Sequence, residues 1–270
     1  MKKRILSVLM SAVLLTACTG QVAAAAGLTV TKGETAIDTQ DKATIINGRT
    51  YVPFHFIIDA FYPQAKISWE LGKAVVRDTD LELVLQPGAR YMICNGRYLY
   101  TPDSMYMEDG ELMVPLRILC TALGIGVAWD AANRLAILTP GSGPIQHGDE
   151  FYDEEDLYWL SHVIYAESGN QSLEGKIAVG NVVMNRLESP NFPNTIKGVL
   201  YQRNQFSTVS NGTIYLTPNE QSVVAAKLVL EGVNTAGDSL FFVNPKLSPN
   251  SWASRNRTYV ATIGAHAFFA

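Results

Sequence analysis

Residues 157–187 read LYWLSHVIYAESGNQSLEGKIAVGNVVMNRL, and this stretch decides the fold of the C-terminal half. Its apolar residues recur at spacings of three and four, the period of an α-helix that buries one face. The first stripe contains Leu157, Leu160, Val163 and Ile164. The pattern predicts one helix that ends at Gly169 and a second helix over Leu173–Leu187.

Glu167 continues the apolar stripe of the first helix. It follows Ile164 by three residues and Val163 by four, so an unbroken helix directs its carboxyl toward the core or a cleft above it. Burial and the nearby helix C-terminus both raise the pKa of a carboxyl, as a general acid at neutral pH requires. The spacing equally allows a glutamate that turns to solvent where the helix frays.

The other carboxylates of this half have structural explanations. Glu220 follows Thr217-Pro218-Asn219 and is predicted to cap a helix. Glu188, Glu231 and Asp238 precede or follow turn residues and are predicted to be exposed. Glu174 opens the second helix, where either stabilisation by the helix dipole or a place in a cleft explains it.

The N-terminal half contains an internal duplication, with residues 47–70 matching residues 109–130. Each copy has Asn-Gly or Asp-Gly, which makes a tight hairpin turn, then a proline that opens a short helix at its first position. A tryptophan-containing strand and a further apolar strand follow. The corresponding residues are Asn47 and Asp109, Pro53 and Pro115, Trp69 and Trp129, and the strands 74–76 and 135–138.

This duplicated pattern resembles the copper amine oxidase N-terminal-like domain of secreted wall proteins. The resemblance implies no copper or oxidase chemistry, and it leaves a structural spacer and a wall-binding module open. The predicted organisation is a signal peptide over 1–26, this domain over 27–141, a Pro/Gly-rich and acidic linker over 142–156, and a catalytic domain over 157–270.

Six stretches of the C-terminal half carry a family resemblance: Ile164–Ser168, Glu174–Arg186, Phe192–Thr195, Gln205–Ser207, Phe242–Pro245 and Ile263–His266. In these stretches the chain resembles the SleB-type cell-wall hydrolases, which include spore-cortex-lytic enzymes. The resemblance implies a mainly helical lysozyme or lytic-transglycosylase-like domain, hence an α+β chain overall, with Glu167 as the acid. This chain departs from many relatives by carrying Ala166 before that glutamate, and Asn170-Gln171 where they carry Gly-Glu.

The predicted substrate-binding residues combine polar amides with aromatic faces, which suit sugar hydroxyls and C–H surfaces. Phenylalanines are often core residues, and Asn244 before Pro245 equally suits a turn. The set comprises Glu174, Gln205, Phe206, Ser207, Tyr215, Phe242 and Asn244.

The resemblance implies a peptidoglycan-degrading enzyme, and one acid suffices for a lytic transglycosylase that cleaves between N-acetylmuramic acid and N-acetylglucosamine. Hydrolases normally use two carboxylates, and only one good candidate is present. The alternative from another class is a noncatalytic wall-binding lipoprotein. An amidase or peptidase would need a zinc cluster or a Cys–His pair, and the sequence predicts no metal and no cofactor.

The first residues indicate export. Lys2, Lys3 and Arg4 precede a short apolar run, and Leu15-Thr16-Ala17-Cys18 resembles a lipobox that implies lipidation of Cys18. The alanine run at 23–26 would instead suit cleavage and release, so the chain is expected outside the cytoplasm, anchored or secreted.

A net charge of −4 argues against a nucleic-acid partner. The remaining cysteines, Cys94 and Cys120, are predicted to be either paired or buried as free thiols.

Overall fold

The computed structural model describes residues 28–203 and 205–270. It confirms the α+β class, with a β-rich N-terminal part and a mainly helical C-terminal part. The predicted signal peptide and Cys18 lie outside the described residues. The N-terminal elements are β1 (Thr29–Lys32), β2 (Thr35–Ile37), β3 (Thr44–Ile46), β4 (Arg49–Pro53), α1 (Phe54–Phe61), β5 (Lys66–Glu70), β6 (Lys73–Asp78), β7 (Leu81–Leu85), β8 (Tyr91–Cys94), β9 (Arg97–Tyr100), β10 (Tyr106–Glu108), β11 (Glu111–Pro115), α2 (Leu116–Ala122), β12 (Gly126–Asp130) and β13 (Leu135–Thr139).

The two copies of the repeat meet at the centre of a sheet with the order β10-β11-β4-β3. There β4 pairs antiparallel with β11, and Val52 lies opposite Val114. Both predicted hairpin turns are present, with positive φ at Asn-Gly and Asp-Gly. Each proline ends its strand with extended ψ and precedes the helix, so the prediction of proline at the first helical position is wrong by one residue.

A second four-stranded sheet, β12-β13-β1-β2, joins the start of the domain to the second copy of the repeat. The first copy continues into the meander β5-β6-β7-β8-β9, in which β5 and β6 correspond to β12 and β13 of the second copy. Cys94 and Cys120 are free thiols in the core between these layers. Burial raises the pKa of each thiol to about 12, so both remain protonated and unreactive at neutral pH.

The C-terminal part is built around α4, α5 and α8. Side chains of Asp153, Ser172 and Asn219 cap the starts of these helices. Among the described residues, no helix has the length and apolar character needed to cross a membrane. The elements are α3 (Gly148–Phe151), α4 (Glu154–Ser168), α5 (Leu173–Glu188), α6 (Ile196–Leu200), α7 (Ser207–Ser210), a 3₁₀ turn (Thr213–Tyr215), α8 (Glu220–Leu230), β14 (Phe241–Val243), α9 (Trp252–Asn256), β15 (Tyr259–Ile263) and β16 (His266–Phe269).

Close packing of the three long helices depends on Gly180 of α5. A Cβ at this position would lie 2.9 Å from side-chain atoms of both Ile164 on α4 and Val229 on α8. The predicted stripe of α4 faces this contact, because Leu160, Val163 and Ile164 are fully buried. The helix pair predicted from the sequence is therefore present, and its packing places the C-terminal end of α4 beside α7 and the 3₁₀ turn.

The two parts of the chain are held together by the β8–β9 hairpin. Tyr91, Tyr98 and Tyr100 pack against the helical core. Arg97 forms a two-pronged ion pair with Glu231, at 2.9 and 2.7 Å. The Tyr152 hydroxyl donates to the same carboxylate at 2.8 Å.

This contact corrects one prediction from the sequence. Only 8% of the Glu231 side chain is exposed, so the expectation that it lies on the surface is wrong. Its position before Gly232 does mark the end of α8, but the β8–β9 hairpin covers that end. The predicted linker is also attached to the first domain, since Gly148 N–H donates to the Asn95 carbonyl at 2.8 Å.

Candidate active site

Glu167 is the penultimate residue of α4, directly beyond the buried stripe. Its side chain is half-buried, neither sealed in the core nor extended into solvent. The helix remains regular through Ser168, whose hydroxyl donates to the Ile164 carbonyl at 2.7 Å. Of the two arrangements that the spacing allowed, the sheltered one is present, because the helix does not fray before Glu167.

The carboxyl of Glu167 is held by Thr208 of α7. The Thr208 hydroxyl, itself buried, donates to Glu167 Oε1 at 2.7 Å. Burial raises the pKa of the Glu167 carboxyl above its ordinary value, and the hydrogen bond from Thr208 acts in the opposite direction. The C-terminal end of α4 adds to the effect of burial. The result is a sheltered carboxyl whose protonated form persists to higher pH than that of an exposed glutamate.

Replacing Thr208 with valine is expected to move the alkaline limb of the activity profile to higher pH. The threonine hydroxyl stabilises the charged carboxylate, so its removal raises the pKa of Glu167 further and keeps the acid protonated over a wider range. Wall lysis measured as a function of pH checks this. Thr208→Ser keeps the hydroxyl and serves as the control, and a limb that moves to lower pH in Thr208→Val contradicts the assignment.

The predicted residues Gln205, Phe206 and Ser207 lead directly into Thr208. Phe206 is 6% exposed and precedes α7, whereas Gln205 and Ser207 are exposed. Phe242 of β14 is half-buried, with its ring centroid 6.5 Å from that of Phe206. The two phenylalanines therefore support the segment that carries Thr208, and the flanking polar residues remain open to a ligand.

Tyr215 lies on the surface near α4, with 57% of the residue exposed. Its hydroxyl shares a hydrogen bond of 2.6 Å with the hydroxyl of Tyr201, and its ring centroid is 6.4 Å from that of Trp159. These three rings form an aromatic surface on the helical part. Exposed tyrosines of this kind offer apolar faces together with hydroxyls.

Asn244 and Glu174 make local or interdomain contacts. Asn244 Oδ1 accepts from the Lys246 N–H at 3.0 Å, the turn-forming arrangement that the sequence left open. Glu174 lies in the first turn of α5, and its carboxylate pairs with Arg90 of the N-terminal part. The structure therefore places Glu174 at the contact between the two parts of the chain.

The polar face of α5 that contains Glu174 anchors a loop. Asn181 donates to the Val233 carbonyl at 2.7 Å and accepts from the Thr235 N–H at 2.8 Å. Asn185 donates to the carbonyls of Gly237 and Ser239. Because both amides are used by loop backbone, this face is occupied by protein.

Gln171, which follows α4, ties two loops together. Its Oε1 accepts from the Ala265 N–H at 2.9 Å, and its backbone carbonyl accepts from the buried Lys176 ammonium at 2.6 Å. The Gln171 amide and backbone thus fix the loop after α4.

Two residues near the site were missed from the sequence. Thr208 carries no recognisable signal of its own, although it directly follows Gln205–Ser207. Arg186 is 4% exposed, donates to the Leu240 carbonyl at 2.7 Å, and lies 5.2 Å from the ring centroid of Phe206. Burial lowers its pKa to about 10, which leaves it charged beneath the aromatic support of the site.

Glu167 and Thr208 form the centre of the candidate site. Cavities of about 470 and 490 Å³ exist in the described residues, but other residues line them. Within those residues, no second carboxylate contributes to the pKa shift of Glu167. The arrangement can therefore give and take back one proton.

Comparison with known proteins gives a consistent result for both parts of the chain. Residues 170–269 match the Cell Wall Hydrolase family, and residues 30–138 match the copper amine oxidase N-terminal domain. A spore cortex-lytic enzyme of Bacillus cereus is 34% identical over 117 residues, which are 43% of this chain and 45% of that protein. The corresponding enzyme of Oceanobacillus iheyensis is 30% identical over 128 residues, 47% of this chain and 46% of that protein. The matches thus span under half the length of these relatives.

Among solved structures, the catalytic domain of the germination-specific lytic transglycosylase SleB from Bacillus anthracis is 32% identical. The match covers 47% of this chain and all of that one, with a TM-score of 0.42. The catalytic domain of the Bacillus cereus SleB protein is 34% identical, with 44% and 92% covered and a TM-score of 0.41. The two family matches, over residues 170–269 and 30–138, confirm both resemblances that the sequence predicted.

Proposed function

This chain belongs, through its C-terminal domain, to the cell wall hydrolases related to SleB, and from that premise we propose that it degrades the glycan strands of peptidoglycan. The observation that carries the proposal is the half-buried Glu167 carboxyl, whose pKa is raised by burial and which Thr208 orients. Such a carboxyl keeps its proton to higher pH than an exposed glutamate does, as a general acid requires, and its conjugate base is available for the return step.

The reaction that fits one carboxyl is lytic transglycosylation. Glu167 donates its proton to the glycosidic oxygen while the bond from that oxygen to C1 of N-acetylmuramic acid breaks, which frees the hydroxyl of N-acetylglucosamine. The C6 hydroxyl of the same N-acetylmuramic acid then attacks C1. As the C6 oxygen bonds to C1, the Glu167 carboxylate accepts the proton of that hydroxyl. An intramolecular nucleophile gains from proximity, and the step regenerates the acid. The product carries a 1,6-anhydro ring.

The electrostatic surroundings of Glu167 support this choice over hydrolysis. Inverting and retaining glycosidases place two carboxyl groups across the scissile bond, within about 10 Å of each other. In residues 28–203 and 205–270, no acid is among the causes of the pKa shift of Glu167.

Product analysis tests the proposal. Purified protein incubated with peptidoglycan from vegetative walls and from spore cortex is expected to release anhydro-muramic products that mass spectrometry detects. Reducing-end products without anhydro sugars would exclude transglycosylation and leave a hydrolase. A protein that lyses neither polymer but sediments with wall sacculi would favour the noncatalytic wall-binding function.

We further propose an extracytoplasmic location, with a lipid anchor at Cys18. The support is the basic and apolar start of the sequence with its lipobox-like Leu15–Cys18. A lipid on the mature N terminus would keep the enzyme at the membrane face of the wall. Mass spectrometry of that terminus distinguishes the anchored chain from one that is cut after the alanine run at 23–26.

A further inference from the structure

One cavity of the N-terminal domain has the features of a ligand-binding site, and the residues that line it are distant from Glu167 in sequence. It has a volume of about 490 Å³, within the range of about 300–1,000 Å³ that small-ligand sites occupy. Residues of the β3–β4 turn, α2 and β12 line it, so both copies of the repeat contribute. The duplication thus creates a feature that neither copy has alone.

The lining of this cavity is apolar and cationic. Its apolar residues include Pro102, Pro115 and Ile118, its aromatic residue is Trp129, and none of its lining residues is acidic. Arg49 and Arg117 supply the positive charge. A cationic cavity in a chain of net charge −4 indicates an anionic ligand with an apolar body.

The two arginines differ in whether a carboxylate of the protein neutralises their charge. Arg49 pairs with Asp103 at 2.8 Å. Arg117 is exposed, and no carboxylate in the part of the chain that the structure describes lies within 4.0 Å of its guanidinium. The planar guanidinium of an arginine matches a carboxylate with two parallel hydrogen bonds. Arg117 therefore offers an unused carboxylate-binding group beside an apolar wall.

We propose that this cavity binds the free carboxylate end of a short peptide with small apolar side chains, the chemistry of the peptidoglycan stem peptide. The choice of a wall peptide rests on the proposed function. In an intact strand the acetylated sugars are neutral and the muramic carboxyl is used in an amide bond, so the negative charges lie on the peptide. Arg117 pairs with the terminal carboxylate of the peptide. Trp129 and the two prolines of the lining contact the methyl groups of the peptide side chains.

A second contact with the same polymer would hold the catalytic domain near its substrate. Two linked weak sites bind more tightly than either alone when both can engage at once. The N-terminal domain would then be a wall-binding module, one of the two roles that the sequence left open.

The repeat supplies matched controls for this site. Trp69 corresponds to Trp129 and is similarly exposed, at 52% against 41%, but it does not line the cavity. His55 corresponds to Arg117, and its Nδ1 lies 3.2 Å from Glu111 Oε2, so this position in the first copy already has an acidic partner. Substitutions at equivalent positions therefore separate the cavity from general effects on the domain.

Calorimetric titration of the full chain with diacetyl-Lys-D-Ala-D-Ala tests the proposal. We expect saturable binding that Arg117→Gln weakens about tenfold, since it removes hydrogen bonds to a charged group, and that Trp129→Ala weakens about fivefold. Trp69→Ala is expected to bind as the unmodified chain does. The same peptide with a C-terminal amide is expected to bind about tenfold more weakly.

Three results would overturn the site: no saturable binding at millimolar peptide, equal affinity for the amide, or an equal loss in Trp69→Ala. Thermal unfolding of each variant is expected to match that of the unmodified chain, which shows that a loss of affinity is not caused by misfolding. Arg117→Lys keeps the charge but loses the planar pairing, so it is expected to retain part of the affinity that Arg117→Gln loses. The peptide contains no glycosidic bond, so its binding is measured independently of cleavage. A chain that binds the peptide but leaves glycan intact would refute only the proposed function.

Discussion

Glu167→Gln is expected to lower the rate of peptidoglycan cleavage by about 10²–10⁴-fold, the range over which a positioned general acid and base contributes. Glutamine preserves the size of the side chain and can still accept a hydrogen bond from Thr208, but it cannot deliver or recover a proton. The half-buried site is thus expected to remain folded while the chemistry is lost. Loss of turbidity in a sacculus suspension, followed by quantification of released muropeptides, measures the effect.

Glu188→Gln provides the matched control. Glu188 is the last residue of α5, carries the same functional group and is exposed. We expect full activity in this variant and unchanged thermal unfolding in both. If Glu167→Gln retains activity while the unmodified chain lyses walls, the acid is another residue and the single-carboxylate mechanism is refuted.

Arg97→Gln is expected to reduce the free energy of unfolding by about 3 kcal/mol, because it leaves the Glu231 carboxylate buried without its cation. The Arg97 and Glu231 side chains are only 15% and 8% exposed, so water replaces the lost partner poorly. Arg97 also lies 3.4 Å from the ring centroid of Phe151, a contact that glutamine cannot reproduce in full. Urea unfolding monitored by circular dichroism gives the change.

The matched control is Arg77→Gln, which breaks the exposed pair with Glu70 on the surface of the five-stranded sheet. Both side chains of the Arg77–Glu70 pair lie in water, so the unfolding midpoint of Arg77→Gln is expected to change little. Hydrogen exchange adds a local readout, with faster exchange expected in the β8–β9 hairpin and at the end of α8 for Arg97→Gln alone. An equal effect of the two substitutions would show that the interdomain pair is no more important than a surface pair.

Much of the secondary structure follows from local sequence. The stripe of α4 has the period of a helix, and the Asn-Gly and Asp-Gly turns require positive φ that few other residue pairs adopt. These signals operate within a few residues, so one sequence suffices to detect them. The one-residue error at the two prolines arose because an extended proline before a helix and a proline inside its first turn produce the same local pattern.

Contacts between distant segments could not be predicted in this way. Glu231 stands before a glycine at a helix end, as exposed residues often do, yet Arg97 and Tyr152 bury it from 134 and 79 residues away. Glu174 likewise pairs with Arg90, 84 residues earlier in the chain. No local spacing reports such pairs, because they depend on how the β8–β9 hairpin docks onto the helices.

The sequence by itself determined the helix that carries Glu167 and the repeated turns of the N-terminal domain, since backbone period and turn chemistry are local properties. Only the tertiary structure decided that Thr208 holds the carboxyl, that the Gln171 amide ties the loop after α4 to Ala265, and that Arg117 and Trp129 border one cavity. The physical reason is that burial and pairing arise from groups brought together by packing, and packing is settled only when the whole chain has folded.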